Sequence, residues 1–371
     1  MTLRILAAAS PGEVRVAVER DGVLLDYTIW RPGAPDGVGD LYRGRVIARA
    51  PAMAGSFVAL AGAEGFLPDS ESGAGVTEGD ILTVRVTRAA QGGKGPRLTA
   101  QSGTDAVTEA PAALGLLARG PGGLLELAQR YPEAGVSVDD NALAARVRPA
   151  LGDRLSLCGN AFDDDMDEQV DALSLSTVDL AGGSRLHFHP TPALVAIDID
   201  TGAAGGGRQG KAASHLALNK AVLPALSRQI RLRNLSGAIL VDFAGLSARR
   251  RSELAPELHA ALAEDPLRPR LLGFTALGLA EIVRPRVHPP LHELLAGPHA
   301  AGLVALRAIA IEVAERPYRL PVLRASPAIA AALQADTEAL ADLARRAGRS
   351  LIVRSDPNLP PSGWMIEPSD D

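Results

Sequence analysis

Three aspartates carry the spacing that could do chemistry. Asp198 and Asp200 lie in Val195-Ala196-Ile197-Asp198-Ile199-Asp200, and Asp242 closes Ile239-Leu240-Val241-Asp242. Both runs read as apolar strands. Residues two apart on a strand project to the same face, so Asp198 and Asp200 share a side. Carboxylates on an apolar strand are costly unless something compensates them. If the two strands are neighbours, their backbones lie roughly 5 Å apart. Three carboxylates can then converge at the strand ends, where a hard cation relieves their repulsion. Mg²⁺ suits such a site because it takes carboxylate oxygens and keeps several waters; Mn²⁺ is the alternative. The competing reading is that each Asp caps a strand end or the following turn. From the residues alone the two weigh equally.

Between the strands runs Gly205-Gly206-Gly207-Arg208-Gln209-Gly210-Lys211-Ala212, close to the phosphate-binding pattern G-x-x-x-x-G-K-[ST]. Ala212 lacks the hydroxyl that should ligate Mg²⁺, so a P-loop NTPase ranks below a metal nuclease. The plainer reading is a connector. Arg228, Arg231 and Arg233 on the following helix, and Arg249, Arg250 and Arg251 after Asp242, would suit a polyanionic substrate near the metal. Solvated helix faces are the alternative. His187 and His189 share a strand face, but no third ligand is evident and structural roles are favoured over zinc.

These residues need a scaffold. RLHFHPTPALVAIDID, a loop, the helix AASHLALNKAVLPALSRQIRLRNLSG and the strand AILVDFAGL form a β–loop–α–β unit. Upstream, residues 3–31 read as strands with an Asp21-Gly22 turn. Residues 39–102 hold short strands punctuated by glycines, which suggests a small all-β barrel. Its basic residues, Arg43, Arg45, Arg85, Arg88, Arg97 and Lys94 among them, outnumber its acids by one, and it carries Phe57 and Phe66. Such a barrel can stack single-stranded RNA on its aromatics, but spacing alone slightly favours both Phe as core plugs. FDDDMDEQVDAL reads as a helix whose acidic first turn suits the dipole. Residues 300–371 read as a small α+β domain.

Composition bounds the rest. The chain has 371 residues, 47% hydrophobic and 22% charged, with a formal net charge of −5. A global basic surface is excluded, though a local basic groove is not. Cys158 is the sole cysteine, so there is neither an intrachain disulfide nor a multi-cysteine zinc site. The N-terminus has no signal-peptide pattern, and no uninterrupted apolar stretch is read as long enough to span a membrane. A cytoplasmic soluble protein is expected.

VAIDIDTG, then LSRQIRLRNLSGAILVDFAGL, then LLGFTALGLAEIVRPR resemble the catalytic core of the ribonuclease E/G family, with the ribonuclease G branch nearer. LYRGRVIARAPAMAGSFVALAGAEGFLP and GGKGPRLT resemble its OB-fold domain. LLELAQRYPEAGVSVDDNALAARVRPALG and FDDDMDEQVDAL resemble its ribonuclease-H-like subdomain, and VLRASPAIAAALQ with GRSLIVRSD its small C-terminal domain. The resemblance implies an α+β multidomain chain. Residues 1–38 and 103–180 would be a ribonuclease-H-like subdomain interrupted by an OB-fold RNA-binding domain at 39–102. Residues 181–290 would be a deoxyribonuclease-I-like catalytic subdomain, and 300–371 the C-terminal domain.

It also implies an Mg²⁺-dependent endoribonuclease acting on single-stranded RNA, with Asp198 and Asp242 as metal ligands. Asp200 stands at the position of an assisting Asn. Phe57, Phe66 and Lys94 match RNA-contacting positions, and Arg43, Arg228 and Arg231 join them as expected RNA contacts. The chain departs from the family in several places. The subdomain that senses a 5′-monophosphate is missing, so dependence on that end is not expected. VHPPLHELLAGPHA has no cysteine, so protomers are not joined by zinc, although another interface is open. Pro192 stands for a usual Glu, Ala221 for a helix Glu, and Gly245 for the second Asp of D-F-x-D. A catalytically weakened RNA-binding protein is therefore the alternative reading.

Overall fold

A computed structural model describes residues 2–73, 75–100, 113–200, 211–243, 245–316 and 321–368. The chain opens with β1 (Leu3–Ser10), β2 (Glu13–Arg20) and β3 (Val23–Trp30), an antiparallel meander. Asp21 and Gly22 both have positive φ, 52° and 82°, which gives the tight hairpin its twist.

The barrel follows: β4 (Leu41–Ala50), β5 (Gly55–Leu60), β6 (Ala63–Pro68), β7 (Ile81–Arg88) and β8 (Arg97–Ala100). Pairing runs β4-β5-β6-β8-β7 and back to β4, so these five strands close. This order, with the parallel β6–β8 contact, is compatible with an OB-fold. Val46, Val58, Leu60, Leu67, Val84, Val86 and Leu98 fill the interior. A short β9 (Gly115–Ala118) adds to β4 from outside.

The chain then rejoins the first sheet. α1 (Gly122–Arg130), β10 (Gly135–Val138), α2 (Asn141–Leu151), β11 (Leu155–Leu157) and α3 (Asp164–Asp171) follow in order. β10 pairs parallel with β1 and β11 with β10, giving β11-β10-β1-β2-β3. The barrel segment therefore lies in sequence between two parts of one sheet. Asp163 caps α3 by accepting from the Met166 amide, and the acids of its first turn face the positive helix end.

The third sheet contains the aspartates. It comprises β12 (Thr177–Asp179), β13 (Arg185–Pro190), β14 (Val195–Asp200), then α4 (Lys211–Leu232), β15 (Gly237–Phe243), α5 (Ala248–Arg251), α6 (Ala255–Ala263), β16 (Arg270–Phe274) and β17 (Ala280–Arg284). Strand order is β12-β13-β14-β15-β17-β16, and β14–β15 is parallel, as a crossover through α4 requires. Val195, Ile197, Ile199, Ile239, Val241 and Phe243 pack against Val222, Leu223, Leu226 and Ile230 of α4 and Leu258 and Leu262 of α6. One sheet face is thus helix-covered, and the alternate residues point the other way.

α7 (Leu291–Leu294) and α8 (Gly297–Glu315) lead to β18 (Val322–Ala325), α9 (Pro327–Ala335), α10 (Thr337–Ala347), β19 (Ile352–Ser355) and β20 (Trp364–Glu367). Their three strands pair β19-β18-β20 under the helices. α8, 19 residues long with mean hydropathy 1.2, is by length and composition apolar enough to cross a membrane, although Arg307 and Glu312 interrupt it. It supplies Leu303, Ala305, Leu306, Ile309 and Val313 to the core of this region, the pattern of a core helix.

Candidate functional site

Strand alternation puts Asp198, Asp200 and Asp242 on the sheet face away from α4 and α6. Asp198 and Asp242 are Cα partners across β14 and β15. His187 is the partner of Asp198 on the other side, and Thr177 is the partner of His187. The row Thr177–His187–Asp198–Asp242 therefore crosses four strands. The Thr177 hydroxyl and His187 Nδ1 are 3.0 Å apart. Asp200 lies two residues on, opposite Arg185; Arg185 Nε donates to Asp179 at 2.6 Å.

The geometry alters the electrostatic argument. Asp198 and Asp200 are exposed, so water relieves the desolvation cost that a buried carboxylate would carry. Among the described residues no three His, Cys, Asp or Glu side chains are placed to enclose a metal. The expected three-carboxylate convergence is thus reduced to one in-register pair.

That pair fits a divalent cation on one specific observation. Asp242 Oδ1 is shielded from water and has no hydrogen-bond donor. Arg251 Nη1 lies 2.6 Å away, but at an angle that leaves a charge contact rather than a hydrogen bond. A carboxylate oxygen without a hydrogen-bond donor, met only by the Arg251 charge, next to a second strand carboxylate, could serve Mg²⁺ as a ligand with water completing the shell. Residues 202–210 of the glycine-rich loop, on which the P-loop reading turns, lie outside the described residues.

The arginines divide. α4 ends at Leu232, just before β15 begins at Gly237, so its C-terminal half sits by the start of β15. Asp242 is near the opposite end of that strand. Arg228 and Arg231 are therefore not grouped beside the carboxylates as expected. Arg231 donates to the Leu25 carbonyl from Nε and Nη2, at 3.2 and 3.0 Å, tying α4 to β3. Burial, with Arg231 nearby, pushes the Arg228 guanidinium below its usual range. Arg233 stacks over Phe188 at 4.3 Å and donates to the carbonyls of Ala172, Leu173 and Leu175. Burial lowers its pKa to about 10. Asn234, with φ 47°, donates to the carbonyls of His288 and Pro289. The Arg-Leu-Arg-Asn run thus ties the end of α4 to three other segments. Only Arg251 of the arginines after Asp242 reaches it, and sequence spacing had not singled it out.

The barrel carries the second set. Phe57 and Phe66 are cross-strand partners on its outer surface, both half-buried, with ring centroids 5.6 Å apart at 65°. They are not core plugs, since Val58 and Leu67 take the inward positions. Gly55 makes room for the Phe66 ring, because a Cβ there would stand 2.4 Å from its Cζ. Along the same row, Phe66 is followed by Arg97 of β8 and Arg88 of β7. Burial, then the charges of Arg97 and Arg286, press the Arg88 guanidinium below its usual range. Arg88, Arg97 and Arg286 lie together, with Arg97 paired to Glu71 at 2.9 Å, a grouping that sequence spacing did not reveal because Arg286 comes from after β17. Lys94 is exposed on the β7–β8 hairpin at this end. Arg43, on β4, is half-buried.

The same chain can be compared with known proteins. Residues 141–287 match the model of the Ribonuclease E/G family. The chain is 28% identical to ribonuclease G of Escherichia coli over 208 residues, 52% of this chain and 42% of that protein. It is 34% identical to ribonuclease E of a Nostoc species over 118 residues, 32% of this chain and 17% of the relative. It is 34% identical to ribonuclease G of Haemophilus influenzae over 119 residues, 32% and 24% respectively. The chain spans less than half the length of these relatives.

Proposed function

We propose, from the match of residues 141–287 to the ribonuclease E/G family model and the similarity to ribonuclease G, that this chain is a metal-dependent endoribonuclease acting on single-stranded RNA. The observation that carries the reading is the in-register Asp198–Asp242 pair on the open face of the third sheet, inside the family match. Asp198 and Asp242 would hold Mg²⁺ or Mn²⁺, and Asp200, on the same face, would assist. The cation, when bound, supplies Lewis-acid polarisation of the scissile phosphate and acidifies water. Phe57 and Phe66 stack successive bases on the barrel. Lys94, Arg88, Arg97 and Arg286 neutralise phosphates between the barrel and the third sheet. Arg43 completes the basic rim. Arg228 and Arg231 act here as scaffold.

The four-part division expected from the sequence belongs to this reading. The barrel's strand order supports the OB label, and the order β11-β10-β1-β2-β3 supports a ribonuclease-H-like sheet. Only residues 119–121 separate β9 from α1, which leaves little chain there for a 5′-end pocket. That supports cleavage independent of a 5′-monophosphate.

A second reading, RNA binding without cleavage, is favoured by Gly245. Its φ is +67°, it brings no carboxylate, and the His215 ring lies against it. One experiment separates the two. A labelled single-stranded RNA is incubated with and without Mg²⁺, beside the Asp198→Asn variant. Metal-dependent cleavage that Asp198→Asn removes supports the nuclease. Binding without cleavage supports the second reading. Equal cleavage of 5′-triphosphate and 5′-monophosphate substrates supports end-independence, and a large monophosphate advantage sinks it.

A further inference from the structure

Asp242 already has a cation. Arg251 Nη1 sits 2.6 Å from its Oδ1, in a contact that lacks hydrogen-bond geometry. We propose that Arg251 is a built-in counter-ion that fills the cation position of Asp242 at rest, so that divalent-metal binding is an exchange in which the guanidinium gives way. This rests on the metal reading of the Asp198–Asp242 pair.

Three features make the exchange physical. First, a guanidinium stays charged throughout the accessible pH range, so it and a metal ion cannot share one carboxylate oxygen without repulsion. Second, Arg251 has other anchors: Nε donates to the Leu246 carbonyl at 3.0 Å and Nη1 to the Gly278 carbonyl at 3.3 Å. The Nε anchor can hold the side chain while Nη1, the atom that also faces Asp242, swings aside. Third, the two partners are unequally exposed. The Asp242 side chain is 48% exposed and that of Arg251 15%. A hydrated ion therefore reaches the outer oxygen of the carboxylate from the open sheet face, while the guanidinium covers the shielded Oδ1. The pair is open to solvent on the Asp242 side only, which is the side from which a competing cation would enter. Gly245, in that loop, adds no second acid that could serve both cations. The consequence is a site whose metal affinity is set low by its own arginine, and which is neutralised rather than vacant when divalent ions are scarce.

Mn²⁺ titration of the purified full chain, read by calorimetry and by the electron paramagnetic signal of free Mn²⁺, tests this without an activity assay. Arg251→Gln is expected to tighten Mn²⁺ binding about threefold to tenfold. Arg250→Gln, which removes a neighbouring charge without touching Asp242, is expected to change it less than about twofold. Unchanged or weaker binding in Arg251→Gln, or an equal shift in Arg250→Gln, overturns the exchange. Asp242→Asn distinguishes the two levels of the argument. If it leaves Mn²⁺ binding intact, the metal reading itself falls, and the exchange with it. If it abolishes binding while Arg251→Gln does nothing, only the exchange falls. Because Arg251→Gln also loses two backbone anchors, the unsubstituted protein provides a second measure. Its Arg251 Nε–Hε resonance should move in step with Mg²⁺ occupancy, and a stationary resonance at saturating Mg²⁺ overturns the proposal.

Discussion

Asp198 and Asp242 face one another across the parallel pairing of β14 and β15, each on a strand whose neighbouring residues are buried against α4 and α6. The sheet therefore fixes their separation while leaving both carboxylates on the solvent side. Function and stability should separate cleanly at these positions. Asp198→Asn and Asp242→Asn are expected to reduce RNA cleavage by about 100-fold or more, the scale seen when one electrostatic element of a site is removed. Unfolding free energy should change by no more than about 0.5 kcal/mol for Asp198→Asn, as for other exposed substitutions. Asp242→Asn also loses its contact with Arg251, worth about 0–1 kcal/mol. Cleavage assays beside urea unfolding check both. A large stability loss would mean that the aspartates are structural.

The Phe57–Phe66 pair is expected to carry RNA affinity. Removing one stacking ring costs about 1–3 kcal/mol of binding, so Phe57→Ala and Phe66→Ala should each weaken binding of a short single-stranded RNA by roughly 5- to 150-fold. Fluorescence anisotropy reads this directly. Both rings are half-buried on the outer barrel surface, so their stability cost should fall below the 3–5 kcal/mol typical of a core Phe. Unchanged affinity with a large loss of stability would return them to a packing role.

The sequence disclosed these two features unequally, for physical reasons. A period of two on an apolar strand is enough to place Asp198 and Asp200 on one face, and the β–loop–α–β order is enough to make β14 and β15 parallel. The barrel was legible from its short glycine-punctuated strands. The side of Phe57 was not. In Gly55-Ser56-Phe57-Val58-Ala59-Leu60 both alternate sets contain apolar residues, so periodicity points both ways, and only closure of the barrel sends Val58 and Leu60 inward. The arginines misled because proximity in sequence is not proximity in space. Arg231 follows Asp200 in the same unit, yet a long helix carries it to the other end of the strand. Arg251 was indistinguishable from Arg249 and Arg250 until the turn after β15 aimed it at Asp242.

His288 provides a pH handle remote from the carboxylates. Burial alone would lower its pKa. Its Nδ1 lies 2.6 Å from Asp36 and its Nε2 3.1 Å from Glu126, and those hydrogen bonds and charges prevail, raising the pKa to about 10. The ordinary value for the unfolded chain is near 6.5. The charged imidazole therefore stabilises the fold fully below pH 6.5, and that contribution is lost progressively as the pH rises to about 10. Since Asp36 precedes the barrel and Glu126 lies on α1, the loss should loosen the contact of these segments with the stretch after β17. Unfolding free energy measured from pH 6 to 10 should fall more steeply in the unsubstituted protein than in His288→Ala. Parallel slopes would show that the imidazole is not charged.

Gly245 is where an added acid would meet resistance. Its φ of +67° is left-handed, and a Cβ there would stand 2.6 Å from His215 Nδ1. Asp tolerates this backbone better than most residues, at a cost of about 1 kcal/mol. The contact with a ring nitrogen adds to that, because the imidazole must shift. Gly245→Asp is therefore expected to lose about 1–3 kcal/mol of stability, and it should not raise cleavage despite supplying a second carboxylate near Asp242. His215→Ala removes the obstruction. The double variant should lose less than the sum of the two single losses, since the sites touch. It is also the form in which an added acid could strengthen Mn²⁺ binding. Thermal unfolding of the four proteins gives the coupling. Strictly additive losses would show that His215 does not occupy the space in solution, and that the missing acid at position 245 has another cause.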